Sequence, residues 1–130
     1  MLKTRDFPMV RGQTMTVLFT VKDERKTRVD LTGAQVYLWV RADAKVDASI
    51  KLASAVTAGH RIGIILADQT ADQKGEFTAT FIPADTADLV AMGADDPYLY
   101  DCWVVDSTAA AYPVVATSKI SLYPQTTLVP

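Results

Sequence analysis

Apolar and polar residues alternate with a period of two along most of this chain. The clearest case is Val36–Arg41, where valine and leucine positions alternate with tyrosine, tryptophan and arginine. This period is typical of β-strands whose two faces differ in burial. The same pattern predicts five further long strands: Thr14–Val21, Ile62–Leu66, Phe77–Phe81, Tyr98–Val105 and Val114–Tyr123. Shorter strands are predicted at Phe7–Val10 and Ile50–Thr57.

Residues that tolerate turn conformations separate these segments. They are Gly12, Thr32, Gly33, Gly59, Gly75 and Pro113. Short strands joined by turn-rich loops, without a long helical pattern, favour a sandwich or a barrel. Two segments depart from this rule: Ala84–Val90 is predicted to form one short helix, and Ala67–Gln73 is a weaker helical candidate. The 130 residues predict a single domain, 1–130, with short arms at both ends.

Composition narrows the class of protein. Hydrophobic residues make up 49% and charged residues 22% of the chain, close to the average for globular domains. A net charge of −2 gives no electrostatic basis for nucleic-acid binding, and the basic cluster Lys22–Arg28 is interrupted by acidic residues, as in a solvated hairpin tip. No apolar run is long enough for a membrane span, and the first residues lack the apolar core of a signal peptide. We therefore expect synthesis in the cytoplasm and no membrane partner.

Few side chains offer catalytic or metal-binding chemistry. The chain has one histidine, His60, in a predicted turn, and one cysteine, Cys102, within a predicted apolar strand. One cysteine excludes an internal disulfide, and two such residues are too few for a zinc site. Four acidic residues leave a loop calcium site open, although they show no known ligand spacing. They are Asp95, Asp96, Asp101 and Asp106. We expect no enzyme activity and no cofactor.

Aromatic residues are concentrated on the predicted strands. Tyr37 and Trp39 share one strand face opposite an aliphatic face, and Trp103 faces away from Tyr100 and Cys102. Three interpretations stay open for the outer aromatic residues: cover by a loop or by the short helix, a subunit interface, or a stacking surface for a sugar ring.

The chain termini are further candidates for contact with a neighbour. Short terminal segments become ordered when they dock, so Met1–Met9 and Thr126–Pro130 are predicted to be interface arms. Together with the aromatic residues, they define the candidate interface. Its residues are Tyr37, Trp39, Trp103, Phe7, Met9, Leu128 and Val129.

The stretch around Cys102 resembles a signature of immunoglobulin domains. Asp96–Cys102 matches the Asp-x-x-x-Tyr-x-Cys pattern of strand F, and Trp39 lies where the strand-C tryptophan would be. The strand Met15–Val21 has no second cysteine, so the inter-sheet disulfide of antibody domains is absent. The resemblance implies an all-β, immunoglobulin-like antiparallel β-sandwich of about 7–9 strands, with Tyr100 as a tyrosine corner.

Two stretches of the chain resemble, in the order of their motifs, small structural proteins of tailed bacteriophages and the N-terminal domain of phage baseplate upper proteins. In those proteins a Gly-x-Thr strand leads to a Val-x-Asp hairpin, then to a Leu-x-Gly-Ala turn and a strand that ends in a basic residue. Arg11–Asp23 and Asp30–Arg41 follow this order. The resemblance implies a non-enzymatic virion structural protein of the tail, baseplate, neck or capsid, assembled in the host cytoplasm. Its partners would be other virion proteins and copies of itself, without a small-molecule ligand. The alternative is a carbohydrate-binding module that uses Tyr37, Trp39 and Trp103.

Overall fold

Nine β-strands and one single-turn helix form the described part of the chain. The computed structural model describes residues 3–42, 50–53, 60–70, 72–87, 89–91 and 93–124. In chain order the elements are β1 (Phe7–Val10), β2 (Met15–Thr20), β3 (Gln35–Arg41), β4 (Ile50–Ala53), β5 (His60–Arg61), β6 (Gly63–Leu66), β7 (Glu76–Phe81), α1 (Pro83–Thr86), β8 (Gly93–Val105) and β9 (Ala111–Tyr123).

The strands form two sheets around a shared hydrophobic core. Within the described ranges, the larger sheet has the order β1-β9-β8-β3-β4-β5, and the smaller has the order β2-β7-β6. The strands β3, β8 and β9 correspond to C, F and G of an immunoglobulin sandwich, and β2, β7 and β6 correspond to B, E and D. The predicted fold class, an all-β sandwich, is confirmed.

Several strand details differ from the prediction. β1 runs parallel to β9 and β5 runs parallel to β4, so the sandwich is not wholly antiparallel. Pro113 lies within β9, although a turn was expected there, and Asp95–Pro97 lies within β8 rather than in the loop considered for a calcium site. The pairing of β8 with β9 shifts register near both prolines, and such irregular pairing accommodates a residue without an N–H donor. The predicted strand Ile50–Thr57 is present as far as Ala53, and residues 54–57 lie outside the described ranges.

The two helical predictions have different outcomes. The helix expected over Ala84–Val90 is a single turn, Pro83–Thr86, that begins with proline. Asp85 closes this turn, because its Oδ2 accepts a hydrogen bond from the Ile82 N–H at 2.8 Å. The second candidate, Ala67–Gln73, has no helix among its described residues and forms turns between β6 and β7.

The core consists of the inward positions of both sheets. Along β7, burial alternates residue by residue, as the sequence period predicts. Phe77 of β7 is fully buried, and its ring stacks on that of Phe19 with 5.2 Å between centroids. From the larger sheet, Leu38 and Cys102 are fully buried as well. The aliphatic side of the alternating pattern is therefore the side that faces the core.

Two buried tyrosines of β8 bind distant parts of the backbone. The Tyr98 hydroxyl donates a hydrogen bond to the Val90 carbonyl, 8 residues upstream, at 2.9 Å. The Tyr100 hydroxyl donates instead to the Arg5 carbonyl, at 2.5 Å. A tyrosine corner requires a bond to the backbone a few residues upstream. The expectation that Tyr100 forms this corner is therefore wrong, and Tyr98 makes the corresponding bond.

The N-terminal segment is bound to its own chain rather than extended towards a neighbour. The Arg5 N–H donates to Ser118 Oγ and the Lys119 N–H donates to Asp6 Oδ1, each at 2.8 Å. These contacts hold the segment against β9 before it continues as β1. From residue 3 onwards, the predicted N-terminal arm is thus part of the sandwich.

Three Asp-x-Thr turns recur in the loops: Asp30–Thr32, Asp68–Thr70 and Asp106–Thr108. In each turn, the aspartate Oδ1 accepts hydrogen bonds from the threonine N–H at 2.9 Å and from its hydroxyl at 2.7 Å. Bonds to a carboxylate favour its charged form. The pKa of each aspartate is therefore lowered. The main cause is the bond from the threonine N–H in Asp30 and the bond from the threonine hydroxyl in Asp68 and Asp106.

We expect these turns to make the fold sensitive to acid. A carboxyl whose pKa is lower in the folded than in the unfolded chain stabilises the fold above its unfolded pKa. That stabilisation is lost as the pH falls through the folded value. The urea midpoint should therefore decrease between neutral pH and about pH 3. The decrease should be smaller in a variant with Asp30→Asn, Asp68→Asn and Asp106→Asn, and an equal decrease in both proteins would contradict the prediction.

Candidate functional site

Aromatic residues occupy neighbouring outward positions of the larger sheet. Tyr37 and Trp39 occupy outward positions of β3, and Asp101 and Trp103 occupy outward positions of β8. The antiparallel register places Tyr37 opposite Trp103 and Trp39 opposite Asp101. On the other side of β8, Trp103 lies opposite Pro113 of β9. We call Tyr37, Trp39, Trp103 and Pro113 the aromatic face.

Trp103 is the most open tryptophan of this face. Its side chain is 42% exposed, whereas Tyr37 and Trp39 are half-buried. Opposed residues on neighbouring strands have Cβ atoms about 4.5–5.5 Å apart, so Tyr37 and Trp103 form one continuous surface. An exposed tryptophan beside a tyrosine is the type of anchor that is enriched at binding hot spots.

Trp39 carries an unsatisfied polar group. It lies between the buried residues Leu38 and Val40 and faces away from the core. Its Nε1 is nevertheless buried, and it has no hydrogen-bond partner among the described residues. The Arg41 guanidinium carbon lies 5.3 Å from the centroid of the Trp39 ring, which is cation–π geometry. Trp39 is therefore an outward residue that its own chain partly covers.

Charged side chains border the aromatic face at one end. Asp101 is half-buried in the row that contains Trp39. In the next outward row, Leu99 lies between Arg41 on β3 and the exposed Lys119 on β9. The outer surface thus changes from aromatic around Trp103 to mixed charge around Leu99. The Asp101 carboxylate can accept hydrogen bonds from a bound hydroxyl or N–H group.

The terminal residues predicted as contacts do not join the aromatic face in the described structure. The Phe7 ring is half-buried and lies 5.4 Å from that of Tyr100, and Met9 is only 2% exposed. Met9 is part of the core and Phe7 packs against it, so neither residue lies on the aromatic face, and their assignment to an interface stays a prediction. Leu128 and Val129 lie in residues 125–130, outside the described ranges.

The residues that could support catalysis or metal binding lie in different environments. Cys102 is fully buried on the inner side of β8, and burial raises the pKa of its thiol. Asp95 and Asp96 are exposed on β8, whereas the Asp106 carboxylate is bonded within its own turn. Across the described ranges, no three His, Cys, Asp or Glu side chains come close enough to share a metal ion. His60 lies in the short strand β5 rather than in the predicted turn, and only its backbone position is described.

A second exposed apolar pair lies on the outer face of the smaller sheet. Leu18 of β2 is 48% exposed and Ile65 of β6 is 67% exposed. Thr78 of β7 lies between them in the same cross-strand row. The alternation of the sequence predicts both strands but does not reveal which of them ends up at a sheet edge. The one local sign of an unprotected edge was that β6 contains neither a charged residue nor a proline.

Comparisons with known proteins return no match: neither a family model nor a curated protein sequence corresponds to this chain. In the described part of the chain, no helix has both the length and the apolar character needed to cross a membrane.

Proposed function

We propose that this protein is a non-enzymatic structural component of a tailed-bacteriophage virion that assembles with other virion proteins and with copies of itself. The aromatic face carries the proposal, because it places the exposed Trp103 beside Tyr37 on a sheet that contains the two longest strands. A surface of this kind binds a partner by burial and does no chemistry on a substrate.

The sequence stretches that resemble phage structural proteins support the proposal through their positions. Arg11–Asp23 contains β2 and enters a hairpin closed by a bond from the Asp23 N–H to the Thr27 carbonyl, at 2.9 Å. Asp30–Arg41 begins with an Asp-x-Thr turn and continues as β3, the strand that carries Tyr37. The residues of the resemblance therefore build the turn and the strand that present half of the aromatic face.

The energetics favour repeated weak contacts over one strong contact. Full burial of a large apolar side chain contributes about 1.5–3 kcal/mol. Association costs an estimated 4–15 kcal/mol in lost freedom, so Trp103 and Tyr37 alone support only modest affinity. In a symmetric particle, each subunit makes several contacts at once, and linked contacts raise the overall affinity by about 10²–10⁴. A modest aromatic face is sufficient in that setting.

Replacing Trp103 with serine is expected to weaken assembly at least about tenfold, because it removes the anchor of the aromatic face. Tyr123→Ser is the matched control, since Tyr123 is 41% exposed on β9 of the same sheet but lies at the far end of that strand. It should change association less than about threefold. Light scattering after size-exclusion chromatography would measure self-association. Mass spectrometry of purified phage particles would measure whether the protein is incorporated. A protein that stays monomeric and is missing from particles would overturn the proposal.

A carbohydrate-binding module is the second candidate. The observation that favours it is the juxtaposition of aromatic rings with the Asp101 carboxylate, because a sugar can stack on one and donate hydroxyl hydrogen bonds to the other. Its signature would be a monomer whose tryptophan fluorescence changes on titration with soluble glycans. Trp103→Ser and Trp39→Ala should abolish this response. A response of this kind without assembly would favour the module over the virion component.

A further inference from the structure

The edges of the two sheets differ in how they are protected. A strand at a sheet edge presents unpaired N–H and C=O groups to any other strand, and proteins block such edges with charge, proline, short strands or covering groups. In the described ranges the edge strands are β1 and β5 of the larger sheet and β2 and β6 of the smaller sheet. Three of these edges carry a recognisable block, and β6 carries none.

The larger sheet is protected at both edges. β1 contains Pro8, which has no N–H donor, and the N–H of Val10 is bonded to Gln13 Oε1 at 2.9 Å. β5 has only two residues, so it offers a strand partner very little backbone. Neither edge is therefore a template for pairing.

The β2 edge of the smaller sheet is covered by Arg5. The Arg5 guanidinium donates a hydrogen bond to the Leu18 carbonyl, and its central carbon lies 5.0 Å from the centroid of the Phe19 ring. This position puts a positive charge directly on the edge and uses one of its free acceptors. An incoming strand would have to displace Arg5.

The β6 edge has free hydrogen-bonding groups. The Ala67 N–H donates to the Glu76 carbonyl at 3.0 Å, so that pair is hydrogen-bonded. Hydrogen-bonded and non-hydrogen-bonded pairs alternate along an antiparallel ladder. The N–H and C=O groups of Ile65 therefore point towards Thr78, and those of Ile64 and Leu66 point away from β7. No described strand pairs with this outer side. Gly63–Leu66 has no charged residue and no proline to block it.

The side chains of β6 also fit an extended sheet. Ile65 points outwards with 67% exposure, whereas Ile64 and Leu66 are partly buried against the core. A strand that adds to this edge would therefore meet an apolar side chain on the outer face. It would also meet the border of the hydrophobic core on the inner face.

We propose that β6 pairs antiparallel with β6 of a second copy of this chain, so that two three-stranded sheets become one continuous six-stranded sheet. A two-fold axis perpendicular to the sheet would place Ile65 opposite Ile65 of the second copy. Ile64 of each copy would then exchange hydrogen bonds with Leu66 of the other. This inference rests on the proposed function in that it names a second contact, besides the aromatic face, by which copies of the chain assemble.

Two copies of β6 are complementary to each other in the conformation that the strand already has. The same outward-pointing groups serve as donors and acceptors on both copies, and no like charges of β6 oppose one another. Because each residue pair keeps its side chains on one face, both hydrophobic cores stay on the same side of the joined sheet. The two Ile65 side chains shield each other from water. A second copy therefore satisfies the backbone and the apolar surface of β6 together.

Ile65→Lys tests the pairing, since an edge lysine opposes its own copy across the two-fold axis. The matched control is Leu18→Lys, which makes the same apolar-to-lysine change on the same face of the same sheet, two strands away. Sedimentation velocity should show a wild-type dimer. Its dissociation constant should rise at least about tenfold in Ile65→Lys and change less than about threefold in Leu18→Lys. Far-UV circular dichroism and thermal melting of each variant would establish that the fold is kept.

A cysteine cross-link gives an independent measurement of the register. Opposed residues in a non-hydrogen-bonded pair have Cα atoms about 4.5 Å apart, which a disulfide can span. Ile65→Cys should therefore form a disulfide-linked dimer under mild oxidation, and Leu18→Cys should not. The native Cys102 does not compete, because it is fully buried.

The outcomes separate this inference from the proposed function. A wild-type monomer at about 100 μM would overturn the pairing, and so would a dimer that Trp103→Ser dissociates and Ile65→Lys leaves intact. The latter result would support assembly through the aromatic face. A dimer that depends on Ile65 in a protein missing from phage particles would support the pairing and overturn the virion role.

Discussion

Replacing Gly75 with alanine is expected to lower the free energy of unfolding by about 3 kcal/mol. Gly75 has a φ of +84°, a conformation that costs residues with a Cβ about 1–2 kcal/mol. An added Cβ would lie 2.9 Å from the Val21 carbonyl oxygen and 3.1 Å from Arg28 Cβ. Overpacking of this kind costs about 1–3 kcal/mol more. Urea unfolding followed by tryptophan fluorescence would measure the change.

The position of Gly75 explains why the effect should be large. Its carbonyl accepts a hydrogen bond from the Val21 N–H at 2.7 Å, and its N–H donates to Gln69 Oε1 at 2.9 Å. The same amide oxygen accepts the Leu31 N–H, also at 2.9 Å. The loop before β7 and the loop after β2 are thus joined through one small residue. A displaced backbone at this point disturbs both loops.

Gly63→Ala is the control for the Gly75 prediction. At Gly63 an added Cβ would meet only the Thr80 carbonyl oxygen at 3.7 Å, an ordinary contact, and φ is not positive there. Alanine in a strand is favoured over glycine by about 0.5–1 kcal/mol, so this variant should be equal to or slightly more stable than wild type. A loss of similar size at both positions, or a loss below about 1 kcal/mol at Gly75, would contradict the prediction.

Period-two alternation predicted most of the sandwich because burial follows it closely. In Gln35–Arg41 the aliphatic positions are the buried ones, and Glu76–Phe81 alternates at every residue. Such a pattern can be recognised from local sequence alone, because the polarity of each side chain indicates whether its face of the strand is buried. Most predicted strands therefore have an observed counterpart, although β8 begins at Gly93 rather than Tyr98, β9 begins at Ala111 rather than Val114, and β5 was not predicted.

Predictions from the sequence failed where pairing with a distant strand overrides the local preference of the residues. Pro113 and Asp95–Pro97 are turn signals in isolation, yet both lie in strands whose ladder shifts register beside them. Phe7 and Met9 were predicted to belong to an N-terminal arm, yet Met9 is buried and Phe7 packs against the core because β1 pairs with a strand more than 100 residues later. No local pattern contains that information.

The candidate site was predictable in part for the same reason. Alternation put Tyr37, Trp39 and Trp103 on outward faces, and the structure brings these three residues together through the register of β3 with β8. The β6 edge was not predicted, because an edge is a property of the whole sheet. Only the sheet order shows that Gly63–Leu66 has one neighbour rather than two.

Cys102 is expected to react with thiol reagents at least about 10³-fold more slowly in the native protein than in concentrated guanidinium chloride. The side chain has no exposed surface, and burial together with the nearby Asp101 carboxylate raises the pKa of its thiol. A thiolate is the reactive form, so the folded protein lacks both access and the nucleophile. The rate of labelling, followed by absorbance or mass spectrometry, would then report how often β8 opens.

An exposed thiol provides the reference rate for this measurement. Leu18→Cys combined with Cys102→Ala places the only thiol at a position that is 48% exposed on the smaller sheet, and it should react nearly as fast as an unfolded chain. If Cys102 reacts only after global unfolding, a loss of about 3 kcal/mol in Gly75→Ala should accelerate its labelling about 100-fold, since each 1.4 kcal/mol is a factor of ten. Fast labelling of the native protein, or a rate that Gly75→Ala leaves unchanged, would contradict this prediction. Either result would mean that β8 opens locally, at the strand that carries Trp103, while the rest of the sandwich stays folded.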